Sequence, residues 1–487
     1  MTKRFIEFSN GVNPVSIYCF FVDKDKFWFI FRNESYMINL KALVTALFLI
    51  APILLYSQYF ETTIPVGSFP RDFAYNQTNY KVYCANMGSN TITVINSWTN
   101  QIITTIRVGS QPISLVYNPI NNKTYCANQQ SNEVSIINGV NDEVISTIPV
   151  GLRPSALIYD SISNKVYCAN SSSNNVTVID GANDLVITTI NVGFYPSTLL
   201  YNPTNNKIYC ANMDNESVTI IDGATNQVIT TVQVGVTPSS LAYNSENNKI
   251  YCSSWANGRI HIIDGATNQI IDSIIYGNSG PQSLIYHYYT NRIFYVNFTG
   301  DNIKAIDGTS DSIFGTIQFP FATRPYALIS AFRYIYCANI GSHNVSVIDP
   351  YSLFPGITIS VGYPVAFITG RGPNAIRIYV ANLRSSNVSV IREDLPGIET
   401  NPIFTAPKEI FKLYPNPARS FFAVRLPYTA DRTALKIIDI FGKTIRVIND
   451  YKSNSKVYLN DINPGVYFLQ VDNITKKLIV TEEKDKR

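Results

Sequence analysis

Cysteine is the most regularly spaced reactive residue in this 487-residue sequence. Six of its seven cysteines stand at positions 84, 126, 168, 210, 252 and 337, so that most neighbours are 42 residues apart. A zinc site needs Cys and His side chains that converge, usually through C-x-x-C spacing, and these intervals supply no such pair. We therefore expect thiols that pack in a core and bind no metal.

The groups that could transfer protons are also dispersed. The three histidines are His261, His287 and His343, and they occupy three different places in the repeat described below. Aspartates recur at the end of one repeated segment, mostly before Gly, at positions 180, 222, 264, 307 and 349. Asp-Gly suits a hairpin turn, with calcium binding as the alternative. Because acid–base catalysis needs such groups gathered at one site, we assign no catalytic residue, metal or cofactor.

A repeat of about 42 residues connects these positions. Each copy contains four short β-branched or aromatic runs separated by turn residues, which we name strands a (SLAYN), b (KIYCAN), c (VTIID) and d (QVITTV). The runs are too short and too β-branched for a helical solenoid. Four strands per copy are typical of a propeller blade, so we predict an all-β, eight-bladed β-propeller over residues 59–392, with seven blades as the alternative. The landmark aromatic of strand b recurs in eight copies, at Tyr83, Tyr125, Tyr167, Tyr209, Tyr251, Phe294, Tyr336 and Tyr379.

The order of strands also predicts how the ring closes. A lone strand d, Thr62 to Val66, precedes the first strand a, and no strand d follows the last strand c, Asn387 to Ile391. We expect the first strand to complete the last blade and so remove an open sheet edge. Since packed sheets lie about 10 Å apart, equivalent cysteines of neighbouring blades are beyond the roughly 7 Å that a disulfide spans, and we expect free thiols.

The amino-acid sequence of strand b contains a specific four-residue motif. It reads Tyr-Val-Ala-Asn at 379–382 and Tyr-Cys-Ala-Asn in five other copies, with Ile179-Asp180-Gly181 and Val192-Gly193 typical of the rest. These motifs resemble the YVTN family of propeller repeats, with Cys in place of Val. The resemblance implies the propeller fold but no activity. Seven-bladed relatives include lactonases and lyases, so a hydrolytic enzyme of that kind remains an alternative function.

An apolar run near the start of the chain predicts export. Lys41 precedes the run Ala42 to Leu55, and Tyr56, Ser57 and Gln58 follow it, which is the order of a secretory signal. Its fourteen apolar residues fall short of the roughly 20 that a transmembrane anchor, the alternative, would need. We predict a signal peptide at 37–58 with translation starting at Met37, so that 1–36 is an untranslated or dispensable upstream segment.

The repeats stop after residue 392. Residues 393–409 are rich in Pro, Glu and Thr and predict a linker, and short strands in 410–487 predict a small β-sandwich. Its motifs resemble the C-terminal sorting domain of the type IX secretion system. The resemblance implies export through the periplasm to the cell surface or the medium, and contact of 410–487 with type IX machinery and a sortase-like protease. The matching residues are Tyr414, Pro415, Asn416, Pro417, Gly442, Lys443, Gly465, Tyr467 and Lys477.

The charge distribution narrows the choice of partners. The net charge is +4, but residues 61–409 hold 18 Lys and Arg against 22 Asp and Glu, without a basic stripe. A nucleic-acid binder would need such a stripe. We expect a monomer that does not bind nucleic acid and does not span a membrane.

The two faces of the predicted disc differ in sequence variation. The a–b and c–d turns nearly repeat NPTNNK and DGATNQ, whereas the b–c loops and the d–a links vary. Variable loops on a rigid scaffold are where specificity can be placed, and large aromatic and Arg side chains dominate binding energies. We predict a secreted binding or adhesion protein for a protein or glycan ligand, with a structural surface-layer role as a further alternative. The predicted binding residues are Trp255, Phe298, Arg153, Tyr195, Arg324 and His343.

Overall fold

The computed structural model describes three parts of the chain. The central part is 58–394 without 276–279, 322 and 374; the N-terminal part is 4–8, 15–23, 26–31 and 34–39. The C-terminal part is 412–414, 421–425, 432–439, 444–452, 455–459, 461–471 and 474–480, with some of its residues described by their backbone alone. Most of the predicted signal peptide (40–57), the linker from 395 onward, Pro415 to Pro417, Gly442 and Lys443 lie outside the described residues.

The N-terminal part contains four short strands. They are β1 (Arg4–Phe8), β2 (Val15–Asp23), β3 (Lys26–Phe31) and β4 (Glu34–Asn39), and they form one antiparallel sheet in chain order. Met37 lies within β4, and the start of translation at this residue stays a prediction.

The central part follows the repeat strand by strand, after β5 (Gln58–Pro65). Every strand a begins at a proline: β6 (Pro70–Asn76), β10 (Pro112–Asn118), β14 (Pro154–Asp160), β18 (Pro196–Asn202), β22 (Pro238–Asn244), β26 (Pro281–His287), β30 (Pro325–Ala331) and β34 (Pro364–Gly372). Strands b are β7 (Lys81–Asn86), β11 (Lys123–Asn128), β15 (Lys165–Asn170), β19 (Lys207–Asn212), β23 (Lys249–Ser254), β27 (Arg292–Asn297), β31 (Tyr334–Asn339) and β35 (Ala375–Asn382).

The two outer strands of each repeat complete this set. Strands c are β8 (Thr91–Asn96), β12 (Glu133–Asn138), β16 (Asn175–Asp180), β20 (Ser217–Asp222), β24 (Arg259–Asp264), β28 (Asn302–Asp307), β32 (Asn344–Asp349) and β36 (Asn387–Asp394). Strands d are β9 (Ile102–Arg107), β13 (Val144–Pro149), β17 (Val186–Asn191), β21 (Val228–Gln233), β25 (Ile270–Ile275), β29 (Ile313–Gln318) and β33 (Phe354–Ser360).

These strands pair into eight four-stranded antiparallel sheets, which we number sheet 1 (β6–β9) to sheet 8 in chain order. Sheets 1 to 7 each take strands a, b, c and d from one repeat, as in a propeller blade. Sheet 8 has the order β34-β35-β36-β5, so the predicted pairing of the first strand with the last strand c is confirmed.

Two strand ends differ from the sequence prediction. Strand β5 begins at Gln58, which the sequence assigned to the signal peptide, and β36 continues to Asp394, two residues beyond the predicted end of the repeats. The reason is one additional pair in the ladder, because Gln58 lies opposite Glu393.

Burial explains why strands b and c are nearly continuous apolar runs. In sheet 3 the central strand β15 is buried from Val166 to Asn170, whereas the outer strand β17 is mostly exposed. Side chains of adjacent sheets share one core: Tyr83 and Val94 of sheet 1 pack with Leu115 and Cys126 of sheet 2. The six cysteines of strands b are buried free thiols, as predicted.

The C-terminal segment forms a separate compact unit. Its strands are β37 (Lys412–Tyr414), β38 (Phe421–Arg425), β39 (Arg432–Ile438), β40 (Thr444–Lys452), β41 (Lys456–Tyr458), β42 (Gly465–Val471) and β43 (Ile474–Val480). They form a sheet of order β37-β38-β41 and a sheet of order β40-β39-β42-β43. Phe422 and Val457 of the first sheet and Leu435 and Leu469 of the second belong to one buried cluster.

Candidate functional site

The d–a links hold the residue before proline in an unusual backbone conformation. In six links this residue is not glycine and has φ between 49° and 59°. L-residues rarely adopt this region, which costs on the order of 1–3 kcal/mol and persists only where the surroundings impose it. The six residues are Phe69, Gln111, Arg153, Tyr195, Thr237 and Arg324.

Side chains of the preceding sheet impose this conformation. The Arg153 N–H donates to Asn132 Oδ1 at 2.8 Å, and the Tyr195 N–H donates to Asn174 Oδ1 at 3.0 Å. Gln111 and Arg324 make the same bond, to Asn90 and Asp301 respectively. Each of these acceptors lies in the b–c loop of the sheet before, so neighbouring sheets are joined at their loops.

The carbonyl group of the same link residue is also bound. The Arg153 carbonyl accepts the N–H of Ser171 at 2.9 Å, and the Thr237 carbonyl accepts the N–H of Trp255 at 3.0 Å. The link is therefore tied to the b–c loop of its own sheet as well as to the loop of the sheet before. The backbone bonds do not depend on the identity of the link side chain, which is free to vary.

The six sequence-predicted binding residues lie in loops and links of sheets 3 to 7. Arg153, Tyr195, Arg324 and His343 are exposed, Trp255 is 45% exposed and Phe298 is half-buried. The indole of Trp255 lies against Gly280, where a Cβ would collide with it. The structure thus distributes the six residues over five successive sheets.

Two residues that the sequence analysis missed form a stack with His343. The Arg384 guanidinium lies 4.4 Å from the centroid of the Tyr363 ring, and the His343 ring approaches that ring edge-on at 5.7 Å. Tyr363 packs on the same core as Ile340 and Leu383. The sequence did contain a signal for Tyr363, because this residue precedes the link proline, as the variable link residues do. The link is one residue shorter than the others, so Tyr363 was not aligned with them.

The carboxylate of Asp72, in strand a of sheet 1, is bound by the backbone of the next sheet. Its Oδ2 accepts the Leu115 N–H of sheet 2 at 2.8 Å. The hydroxyl oxygens of Ser114 and Ser240 accept the equivalent bond in sheets 2 and 5, each from a backbone N–H of the following sheet. The donors are Leu157 and Leu284. Burial raises the pKa of Asp72 to about 6, against the effect of its hydrogen bonds. Asp72 therefore connects two sheets.

The recurring turn aspartates are occupied by their own turns. Asp264 Oδ1 accepts the N–H groups of Ala266 and Thr267, and Asp180 Oδ1 accepts that of Ala182 at 2.7 Å. The Thr267 N–H is the main cause that lowers the pKa of Asp264. Hairpin geometry thus accounts for the repetition of Asp at this place. In the described part of the chain, no three His, Cys, Asp or Glu side chains are grouped so as to hold a metal ion.

On the face made by the a–b and c–d turns, which we call the turn face, sheet 6 differs from the repeat at His287. His287 of sheet 6 stands where most sheets have Asn, and its ring is buried against Tyr289 and Tyr351. Burial lowers the pKa of His287 to about 4, and its Nδ1 lies 2.9 Å from Thr290 Oγ1. A neutral, buried imidazole of this kind packs the end of the sheet.

Comparison with known proteins separates the two units. Residues 412–481 match the family described as "Secretion system C-terminal sorting domain". The crystal structure of Saccharomyces cerevisiae Sqt1 has a TM-score of 0.61 at 12% identity, covering 69% of this chain and 99% of that chain. The computationally designed Ika8 protein has a TM-score of 0.59 at 14% identity, covering 69% and 100%. At these identities the likeness concerns the fold alone, which is propeller-like.

A search of curated protein sequences found no significant match. The C-terminal sorting domain nevertheless indicates a secreted or cell-surface protein exported by the type IX secretion system, and it implies contact with that machinery. Within the described residues, no helix has the length and apolar character needed to cross a bilayer.

Proposed function

We propose that this protein is a secreted or cell-surface binding protein whose ligand site lies on the face made by the b–c loops and d–a links of an eight-bladed β-propeller. Eight four-stranded sheets, the last completed by β5, support the blade count over the seven-bladed alternative. The repeats are of the YVTN type. The C-terminal unit is a β-sandwich that a sortase-like protease removes after export.

The observation that carries this proposal is the conformation of the links. Six non-glycine residues occupy the left-handed region at equivalent places. The b–c loop of their own sheet binds the carbonyl group of each, and in four links the loop of the sheet before also binds the N–H. Left-handed residues in the turns of the other face are mostly Asn and Asp, which tolerate this conformation. The side chains of the link residues range instead from Arg to Phe and Thr, so a fixed backbone presents a variable surface, which is the arrangement that a recognition module requires.

The proposal is tested by a binding screen of the secreted protein against glycans and surface proteins, with and without calcium. Trp255→Ala combined with Phe298→Ala is expected to weaken binding of the ligand found by roughly 2 kcal/mol or more. The melting temperature should change little, because the Trp255 side chain is substantially exposed.

The matched control is Thr225→Ala combined with Thr267→Ala in two c–d turns on the other face. These threonines are exposed and bond only within their turns, so binding should be retained. If the turn variants abolish binding and the loop variants leave it intact, the ligand site lies on the turn face and the proposal is wrong.

A further inference from the structure

The loops of sheets 7 and 8 carry cationic side chains and no acidic one. The relevant segments are Pro320 to Arg324, Ile340 to His343, Gly362 to Tyr363 and Leu383 to Ser386. Arg324, His343 and Arg384 are all exposed. The nearest acid of the neighbouring loops, Asp301, is buried and accepts the Arg324 N–H through Oδ1 at 2.6 Å.

The side chains of Arg384 and His343 both contact the ring of Tyr363. Tyr363 packs with Ile340 and Leu383 against the core shared by sheets 8 and 1, and this contact fixes the ring. Arg384 stacks on the ring, which leaves the edge of the guanidinium available for a planar acceptor. The Leu383 N–H donates to the Tyr363 carbonyl at 2.8 Å, so the loop that carries Arg384 is tied to the link that carries the ring.

Equivalent loops elsewhere have a different charge. At the position of Arg384, the other b–c loops have Gly88, Gln130, Ser172, Asp214, Ala256, Thr299 and Gly341. At the position of His343, sheet 4 has Glu216. Sheet 4 therefore has two acidic residues, Asp214 and Glu216, at the positions where sheets 7 and 8 have His343 and Arg384. The basic residues are thus specific to sheets 7 and 8 and are not a feature of the repeat.

We propose that His343 and Arg384, which contact Tyr363, and Arg324, whose carbonyl accepts the N–H of Ile340 in the loop that carries His343, form a subsite for an acidic polysaccharide, which they recognise by its carboxylate or sulfate groups. This proposal rests on the proposed function, because it names the ligand class of the same face. Arg binds such planar acceptors with two parallel hydrogen bonds. Ser342, whose hydroxyl donates to Asn344 Oδ1, and Ser385 stand beside these residues in the sequence, and their oxygens can accept hydrogen bonds from sugar hydroxyl groups.

The number of charges favours a polysaccharide over nucleic acid. A nucleic-acid site neutralises a run of phosphates and needs a correspondingly long basic stripe. Here two arginines and one histidine are confined to two sheets, and residues 61–409 as a whole carry four more Asp and Glu than Lys and Arg.

The test measures binding of the full-length secreted protein to polygalacturonate, which carries carboxylates, and to dextran sulfate, which carries sulfate esters. Neutral dextran, polyglutamate and single-stranded DNA are the comparison probes. We expect binding to at least one acidic polysaccharide, weaker at about 200 mM than at about 50 mM salt because opposite charges are screened. Arg384→Gln and His343→Gln should each weaken it about tenfold, at an unchanged melting temperature.

Gln130→Ala and Asp214→Asn, at the position of Arg384 in sheets 2 and 4, are the matched controls and should change the affinity less than twofold. The proposed subsite is refuted if neither acidic polysaccharide binds, or if Arg384→Gln and His343→Gln leave binding unchanged. It is equally wrong if polyglutamate or DNA binds as tightly as the polysaccharides. The proposed function is retained after such a result if Trp255→Ala combined with Phe298→Ala weakens binding of a different ligand. It is refuted separately if Thr225→Ala combined with Thr267→Ala abolishes binding of that ligand and the loop variants do not.

Discussion

The ammonium group of Lys81 in sheet 1 lies 2.8 Å from the carboxylate of Asp142 in the c–d turn of sheet 2. The hydroxyl of Tyr83 donates to the other oxygen of the same carboxylate at 2.6 Å. The arrangement recurs at Lys123 with Asp184, and Lys165 makes it with an amide, that of Asn226. One residue of each of these three turns therefore ties a sheet to the Lys and the Tyr of the sheet before.

Removing the shared carboxylate should destabilise the protein strongly. Asp142→Ala leaves the ammonium of Lys81 buried without its partner, which costs roughly 3 kcal/mol. Asp142→Asn reproduces the natural arrangement of Asn226 and should cost about 1 kcal/mol or less. Urea unfolding of both variants checks the difference. Equal losses for Ala and Asn would show that the negative charge, and not the pair of hydrogen bonds, connects the sheets.

Ionisation of Glu393 should destabilise the folded state as pH rises. This carboxyl group is buried where sheet 7 meets sheet 8, and the hydroxyl of Tyr336 donates to its Oε2 at 2.8 Å. Burial raises the pKa of Glu393 from 4.5 to about 7, so the folded state holds a proton that the unfolded state has already released. Between pH 4.5 and 7 the loss is on the order of 3 kcal/mol.

Glu393→Gln should remove the contribution of this group, because the amide does not ionise, while the contributions of Asp72 and His287 stay the same in both proteins. Thermal unfolding at pH 5 and at pH 8 measures it, with the exposed Glu143→Gln as the control. A decline of unchanged size in Glu393→Gln would assign the titration to another group.

A lysine at position 334 should stabilise the same boundary. Tyr334 stands where sheets 1 to 5 have Lys at the start of strand b, so Glu393 lacks the ammonium partner that Asp142 has in Lys81. Tyr334→Lys should raise the free energy of unfolding by about 1 kcal/mol at pH 8 and by less at pH 5, where Glu393 is protonated. Tyr334→Phe, which supplies no charge, serves as the comparison. A gain of the same size at both pH values would contradict an ion pair.

Loss of the first strand should unfold the central unit at a much lower temperature. Arg377 of sheet 8 donates to both oxygens of Glu61 in β5 and to the carbonyl oxygens of Ser97 and Trp98 in sheet 1. Deleting residues 61–67 removes this carboxylate and opens the edge of β36. Glu61→Ala alone should cost roughly 3 kcal/mol, since it leaves a buried guanidinium, and the exposed Thr63→Ala should cost little. An unchanged melting curve after the deletion would refute closure by β5.

Export should depend on the C-terminal unit. A chain without residues 410–487 is expected to accumulate in the periplasm. Gly465→Ala combined with Lys477→Ala should have the same effect, because within the matched segment 412–481 these two residues belong to the motifs that resemble the sorting domain and Lys476 does not. Cell fractionation and protease treatment of intact cells locate the protein, with Lys476→Ala as the control. Normal surface display of the truncated chain would disprove this dependence.

Sequence periodicity was sufficient for the strands and their pairing, including closure by β5. A strand d precedes the first copy and none follows the last copy, so pairing β5 with β36 is the arrangement that leaves no strand c without a partner. It was not sufficient for Asp72, whose partner is the Leu115 N–H of the next sheet. It also missed the stack of Arg384 on Tyr363, which joins a loop and a link that the repeat treats as separate.

The sequence by itself determined the local order of this protein: which residues form strands a to d, which turns need Asp, and where the repeats give way to a sorting domain. These properties depend on neighbours within about ten residues and on the spacing of copies. Contacts between copies were decided only in the tertiary structure. Whether Lys81 meets Asp142, or whether Arg384, Tyr363 and His343 meet, depends on how adjacent sheets pack, and the order of residues within one copy does not specify that packing.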